Sequence, residues 1–402
     1  MRIIFFAGKG GVGKTTLAAA TGLRAAQNGK KTIIISLDVA HSLSDIFDLP
    51  KDLLDLNKGK PRKVADNLWI QELDIQEEIQ RNWGEIHKYL ATLFNTTGLD
   101  EIVAEELAVL PGMEEVSLLL YINHYARKKS YDAILLDCAP TGESLRFISI
   151  PATLEWYIKK IFRLERTLAK IARPLAKRFY DVPVPGEEYF DAIEKLFNRL
   201  RGVEQLLTDP QTTTVRLITN PEKIVLKETQ RAFLYFNLFG MHIDGIIMNR
   251  IIPDGADDNF FTQWKKSQKK YWHHAESYFD PVPVIPVSLF RDEVVGPRNL
   301  LNLAAKVYGN RDPLGNFFPG SAFRFSKMDG DYVLELKLPF ASKEAVHLNK
   351  TGDELIVRLG GFKKHMLLPR QVAASQSVSA KLDGQYLRIY FKGGKNGKGQ
   401  EN

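Results

Sequence analysis

Eight consecutive residues near the start of this chain, Gly8-Lys9-Gly10-Gly11-Val12-Gly13-Lys14-Thr15, hold the densest chemistry in its 402 residues. They satisfy the spacing G-x-x-x-x-G-K-[ST], between an apolar, β-rich run at Ile3–Phe6 and an Ala/Leu-rich helical stretch at Thr15–Gln27. Glycines in that context let backbone N–H groups turn toward a phosphate, and the helix N-terminus adds its dipole. Lys14 is expected to reach the β- and γ-phosphates of a nucleotide, and the Thr15 hydroxyl to bind Mg²⁺, with Thr16 beside them in the nucleotide-binding set. Asp38 and Asp137 each follow an apolar strand-like run, Thr32–Leu37 and Ala133–Leu136. An acid at the C-terminal edge of a parallel strand points into the crevice where nucleotide binds.

The elements that must position these residues read as strand, glycine loop, helix, strand over the first 40 residues, a βαβ unit. Strands buried on both faces imply a parallel sheet covered by helices. Further strands are expected at Leu68–Leu73, Val215–Thr219, Ile243–Met248 and near Val282–Val287, and helical text fills 76–129 and 152–207. The fold class expected is α/β, a mostly parallel P-loop sheet with helices on both faces and a helical subdomain, followed by a small all-β sandwich. Gly309–Ser321 concentrates Gly, Pro and Asn and reads as a linker (309–320) after a first unit at 1–308. Beyond it, Tyr332–Pro339, Glu354–Leu359, Lys364–Leu368 and Leu387–Phe391 alternate in polarity between turn signals, giving a β domain over 321–392 and a Gly-rich tail over 393–402.

Charge narrows the function classes. The net charge is +7, and residues 316–402 carry six of those seven charges. The first 315 residues are nearly neutral, so no nucleic-acid partner is expected. No apolar run approaches the roughly 18 residues that span a bilayer. The single cysteine, Cys138, cannot form an internal disulfide, and it reads as a small buried residue. The chain opens directly on MRIIFFAGKGG, and the expected compartment is the cytoplasm. Ile158–Arg178 holds eight basic residues against Glu165, with Leu154, Tyr157, Ile161, Leu164, Leu168, Ile171 and Leu175 on one helical face. That stripe either packs on the domain with lysines outward or is offered to a hydrophobic client or lipid.

Lys9 within the octet resembles the deviant Walker A loops of the ParA/MinD/ArsA/Get ATPases, where this lysine reaches the partner subunit's nucleotide. Asp38-Val39-Ala40-His41-Ser42-Leu43-Ser44-Asp45 resembles the first switch of the ArsA/Get branch, with Val39 in place of its usual proline. Asp137-Cys138-Ala139-Pro140-Thr141-Gly142-Glu143 resembles the second switch, with Cys138 for threonine and Glu143 for histidine. The resemblance implies that Asp38, Lys9 and Lys14 are catalytic, with Asp38 orienting the attacking water. It also implies that Asp137 holds Mg²⁺ directly or through water, supported by Asp45, and that Asn249 in Met248-Asn249-Arg250 binds the adenine edge. Pro286–Asp292 resembles a second adenine-side loop. The nucleotide-binding set is then Gly8, Lys9, Gly10, Gly11, Val12, Gly13, Lys14, Thr15, Thr16 and Asn249.

Members of the family it resembles are ATP- and Mg²⁺-dependent homodimers or internal pseudo-dimers; with one ATPase unit, this chain is expected to pair with itself. Get-type members bind the transmembrane segment of tail-anchored proteins in a helical groove and engage a membrane receptor, which implies hydrophobic clients and a peripheral membrane position. The candidate groove residues are Leu107, Leu110, Met113, Leu119, Ile161, Leu164 and Leu168. The region Ile251–Tyr278 lacks the Cys-x-x-Cys pair of eukaryotic members, so no zinc is expected. The C-terminal strands resemble the α-crystallin fold of small heat-shock proteins, through Tyr332–Pro339, Leu367-Leu368-Pro369 and Ala380–Leu387. Two alternatives stay open: an arsenite-efflux ATPase subunit, and a nucleotide-switched adaptor or holdase.

Overall fold

The computed structural model describes residues 1–36, 42–49, 59–95, 113–138, 150, 162, 164–170, 184–256, 259–321, 323–328, 331–368, 370–373, 375 and 378–392. Its larger sheet contains β1 (Arg2–Gly8), β2 (Thr32–Ser36), β3 (Arg62–Ala65), β4 (Leu68–Glu72), β5 (Ala133–Asp137), β6 (Thr213–Thr219), β7 (Ile243–Ile251) and β8 (Val284–Ser288). The strand order is β3-β4-β2-β5-β1-β6-β7-β8. All neighbours run parallel except β3, which pairs antiparallel with β4 at the edge. β3 is a strand that the sequence reading omits, because its half-exposed text, RKVA, has no buried alternation to announce it.

Two cores lie on the two faces of this sheet, divided by residue parity. On β1, Ile3, Phe5 and Ala7 join one cluster and Ile4 and Phe6 the other. The first face is covered by helices Met113–Lys128, Glu187–Leu200, Lys223–Leu238 and Asn259–Phe279, through residues such as Leu119, Phe190, Phe233 and Ala275. The second is covered by helices Lys14–Gln27 and Gly296–Tyr308, through Leu17, Leu300 and Leu303. Gly22 lets the first of these approach the sheet, because a Cβ there would stand 2.7 Å from Ile34 Cδ1. Successive strands fall to either side of β1, with β2 and β4 one way and β6, β7 and β8 the other. The loop leaving β1 therefore opens at a topological switch point, the usual place for a ligand in an open α/β sheet.

The C-terminal region forms two small antiparallel sheets around a shared core. One has the order β14 (Val378–Asp383), β15 (Tyr386–Phe391), β10 (Asp331–Lys337), β9 (Phe323–Met328); the other is β11 (Val346–Thr351), β12 (Glu354–Leu359), β13 (Phe362–Leu367). Leu334, Leu336, Leu355, Val357, Leu387 and Ile389 fill the space between them. Leu238, from the end of helix Lys223–Leu238, belongs to the same cluster, so the sandwich shares its core with the larger unit. Phe362 stacks on Tyr235 with ring centroids 4.1 Å apart, and the Lys364 ammonium lies 2.8 Å from a Glu204 carboxylate oxygen.

The stretch read as a linker is tied down along its length. Arg216 is fully buried; its guanidinium donates to the carbonyls of Pro313 (2.7 Å) and Gly315 (2.8 Å) and lies 3.5 Å from Asp244, with Phe317 stacked 4.1 Å away. Arg2 donates to the Leu314 carbonyl at 3.1 Å. The docking of this segment depends on a charge buried in β6, 97 residues earlier.

Candidate functional site

The glycine-rich loop expected to hold phosphate begins where β1 meets β6. A Cβ on Gly8 would stand 2.3 Å from the Ile218 carbonyl oxygen, so only glycine allows that approach. Gly11 (φ +78°) and Gly13 (φ +97°) take the left-handed conformation that bends the loop back toward its helix. Val12, between them, is buried in the core and pins the loop to the sheet. Lys14 opens the helix and is buried, only 8% exposed; its ammonium donates to the Lys9 carbonyl at 3.3 Å, folding back across the concavity. Thr15 and Thr16 follow on the first turn, both partly buried, while Gly10 and Gly11 are exposed and Lys9 is half-buried.

Asp137 ends β5 in the register position shared by Phe6 of β1 and Ser36 of β2. It is buried, and the Ser36 hydroxyl lies 3.4 Å from its Oδ2. Burial and the neighbouring Asp137 carboxylate push the Cys138 thiol well above the ordinary thiol range, against a smaller opposing effect of Lys14. Cys138 is therefore a protonated packing residue rather than a reactive thiolate. Asp38 and Glu143 lie outside the described residues.

A second strand-terminal acid, absent from the sequence reading, organises the helix Ser42–Ile46. Glu72 ends β4 and is buried; its Oε1 accepts the backbone N–H groups of Leu43 (3.0 Å) and Ser44 (3.2 Å), and its Oε2 accepts the Ser44 hydroxyl at 2.7 Å. It thereby holds the start of the short helix Ser42–Ile46 against the sheet. The available signal was its place near the end of an apolar run, a place that Asp38 and Asp137 share in the sequence. Asp45 sits on that helix with its side chain exposed.

Asn249 is placed by an irregularity in β7. Pairing with β8 shifts register between Met248 and Ile251, and Arg250 within the shift has φ +58°. Such a bulge re-aims side chains at a strand end. The Asn249 amide donates to the Val12 carbonyl at 2.8 Å, tying β7 to the phosphate loop. Asn249 also lines a cavity of about 340 Å³ with Gly13, Thr16, Arg250 and the segment Ser288–Val295. The loop, the residue expected at adenine and part of the expected second loop, Pro286–Asp292, thus border one space.

The family model described as "Anion-transporting ATPase" matches residues 1–309. The chain belongs to this family. A second model, an HSP20-like domain found in ArsA, matches residues 329–391. Among the relatives is "Putative arsenical pump-driving ATPase 1" of Aquifex aeolicus, 49% identical over 395 residues that cover 97% of this chain and all of the relative. "Putative arsenical pump-driving ATPase" of Chlorobaculum tepidum is 35% identical over 99% of this chain and 98% of the relative. "ATPase get3" of Pyrenophora tritici-repentis is 28% identical over 75% of this chain and 89% of the relative.

Within this member of the family, the residues expected to line a client groove divide. Met113 and Leu119 are 2% and 0% exposed and pack in the core of the first sheet face, which corrects their assignment. Their helix, Met113–Lys128, contributes its apolar side to the core shared with this sheet face. Leu164 and Leu168 are 60% and 54% exposed. Residues 164–170 are helical, and between those leucines Arg166 turns inward, bonding Glu187 (2.8 Å), Asp191 (2.7 Å) and Glu194 (3.0 Å) on helix Glu187–Leu200. Here Arg166 faces the neighbouring helix while Leu164 and Leu168 face outward, so these two leucines are not part of a packed stripe. Leu107, Leu110 and Ile161 lie outside the described residues.

Proposed function

We propose that this chain is a homodimeric, Mg²⁺-dependent ATP hydrolase that couples nucleotide state to the display of an apolar surface for hydrophobic protein segments. The observation that carries the ATPase reading is the junction of the loop 8–15 with the cavity bordered by Asn249 and Ser288–Val295. Phosphates held by the loop amides and Lys14 would leave a base over that cavity, within reach of Asn249. Mg²⁺ takes few protein ligands and completes its shell with phosphate oxygens and water. The Thr15 hydroxyl and the Asp137 carboxylate suit that demand, and the ion would neutralise charge on the phosphates. Lys9 completes the partner subunit's site, and Asp38 orients water for in-line attack on the γ-phosphate.

The client reading rests on Leu164 and Leu168, whose exposure leaves an apolar ridge braced from behind by Arg166. A metalloid-efflux role fits less well. A soft metalloid ion needs several thiolates, and the only cysteine is buried. The test uses Asp38→Asn in the full chain, with a photoreactive residue at position 164 or 168. This variant should bind ATP but hydrolyse it very slowly, and ATP should raise crosslinking to an apolar helical peptide. Normal turnover by Asp38→Asn would remove its catalytic role. Crosslinking that ignores nucleotide would favour a passive holdase.

A further inference from the structure

Away from the nucleotide face, helices Lys223–Leu238 and Asn259–Phe279 enclose a second cavity, of about 180 Å³. Lys223, Lys227 and Lys270 line it, together with Gln230, Tyr271, His274 and Tyr278, whose side chains carry hydrogen-bonding groups. Among the described residues no Asp or Glu lines it, and none of the three lysines forms a salt bridge. Lys223 and Lys227 are four residues apart on one helix face, an arrangement that costs a few tenths of a kcal/mol by mutual repulsion. A counter-charge in the cleft would relieve it.

The neutral wall is rigid. The Tyr271 and His274 rings are 6.1 Å apart, His274 and Tyr278 are 5.6 Å apart, and Tyr278 packs on Phe340 of the C-terminal sandwich at 5.8 Å. Hydrogen-bonding side chains thus sit on a packed aromatic ladder beside the three lysines. This chemistry suits a compact anion that accepts many hydrogen bonds at once, as a phosphate group does; charge-assisted bonds to it are about twice as strong as neutral ones. We propose that the cleft is a binding site for a phosphate-bearing anion, at the place where the ATPase unit meets the sandwich. The phosphate could belong to a soluble ester or to a lipid headgroup.

The test uses the full chain with its phosphate loop saturated by Mg²⁺-ADP. Glycerol 3-phosphate is titrated calorimetrically, and vesicles of phosphatidylcholine with or without phosphatidic acid are assayed by co-sedimentation. Lys227→Gln/Lys270→Gln alters exposed side chains, and its thermal midpoint should match the parent. The expected result is one site per chain, weakened at least tenfold in that variant, restored by arginine at both positions, and unchanged in a Lys266→Gln/Lys269→Gln control. Binding of glycerol 3-phosphate identifies a soluble ester, and binding of phosphatidic acid vesicles alone identifies a headgroup. Binding of neither probe overturns the proposal, as does an equal loss in the control pair, which would mean attraction by overall charge only.

Discussion

Gly13 carries two constraints at once. Its φ of +97° excludes ordinary side chains, and a Cβ there would stand 2.6 Å from the Asn249 amide nitrogen. That nitrogen is committed to the Val12 carbonyl, so it cannot retreat without releasing the loop. Gly13→Ala should therefore cost about 1–2 kcal/mol of backbone strain and lose the Asn249 tie. An ATP affinity lowered about tenfold or more is expected, read by titration with a fluorescent nucleotide; unchanged affinity would show that the loop geometry is not limiting. The placement of this octet between strand and helix was legible in the sequence because its flanking elements are its neighbours in the chain. Glu72 was not, because its role depends on Leu43 and Ser44, 29 and 28 residues earlier, and only the pairing of β4 with β2 brings them together.

At the scale of elements, Glu72 joins strand β4 to the helix that follows Asp38. Hydrogen bonds to a charged group contribute about 1.5–3 kcal/mol each, and Gln at this position keeps the shape but not the charge. Glu72→Gln should loosen the Ser42–Ile46 helix, lowering kcat by about tenfold, or ~1.4 kcal/mol, while the KM for ATP changes little. A steady-state comparison checks this, and a fall in affinity with kcat preserved would place Glu72 in binding instead. The apolar period through Leu164 and Leu168 was readable, but its direction was not. One arginine facing three carboxylates on helix Glu187–Leu200 decides which side turns inward, and those partners lie 21 to 28 residues further along the chain. Glu354–Leu359, with buried alternation, was placed to the residue, whereas the half-exposed β3, β9, β11 and β14 were missed for want of a buried signal.

For the whole molecule, the ATPase unit and the sandwich are held together by a shared apolar core and a pinned connection. His242, in that junction, shares a hydrogen bond with the Phe318 carbonyl; burial holds its imidazole below the ordinary value of 6.5, outweighing the carbonyl and Asp244. The unfolded chain takes up a proton at about pH 6.5 that the folded one accepts only at lower pH, so stability falls as pH drops through that window. His242→Gln, neutral throughout, should flatten this part of the stability profile in chemical denaturation; an unchanged slope would place the acid sensitivity elsewhere. The central claim concerns two copies of the chain, each completing the other's site through Lys9. Its most direct test mixes two inactive variants, Lys9→Ala and Lys14→Ala. A mixed dimer would contain one site with an intact loop lysine and a neighbour that still supplies Lys9, so the account predicts that ATPase activity reappears on mixing and grows with total protein concentration. If the mixture stays as inactive as its parts while mixed dimers form, or if Lys9→Ala alone hydrolyses ATP at the full rate, the paired site is contradicted.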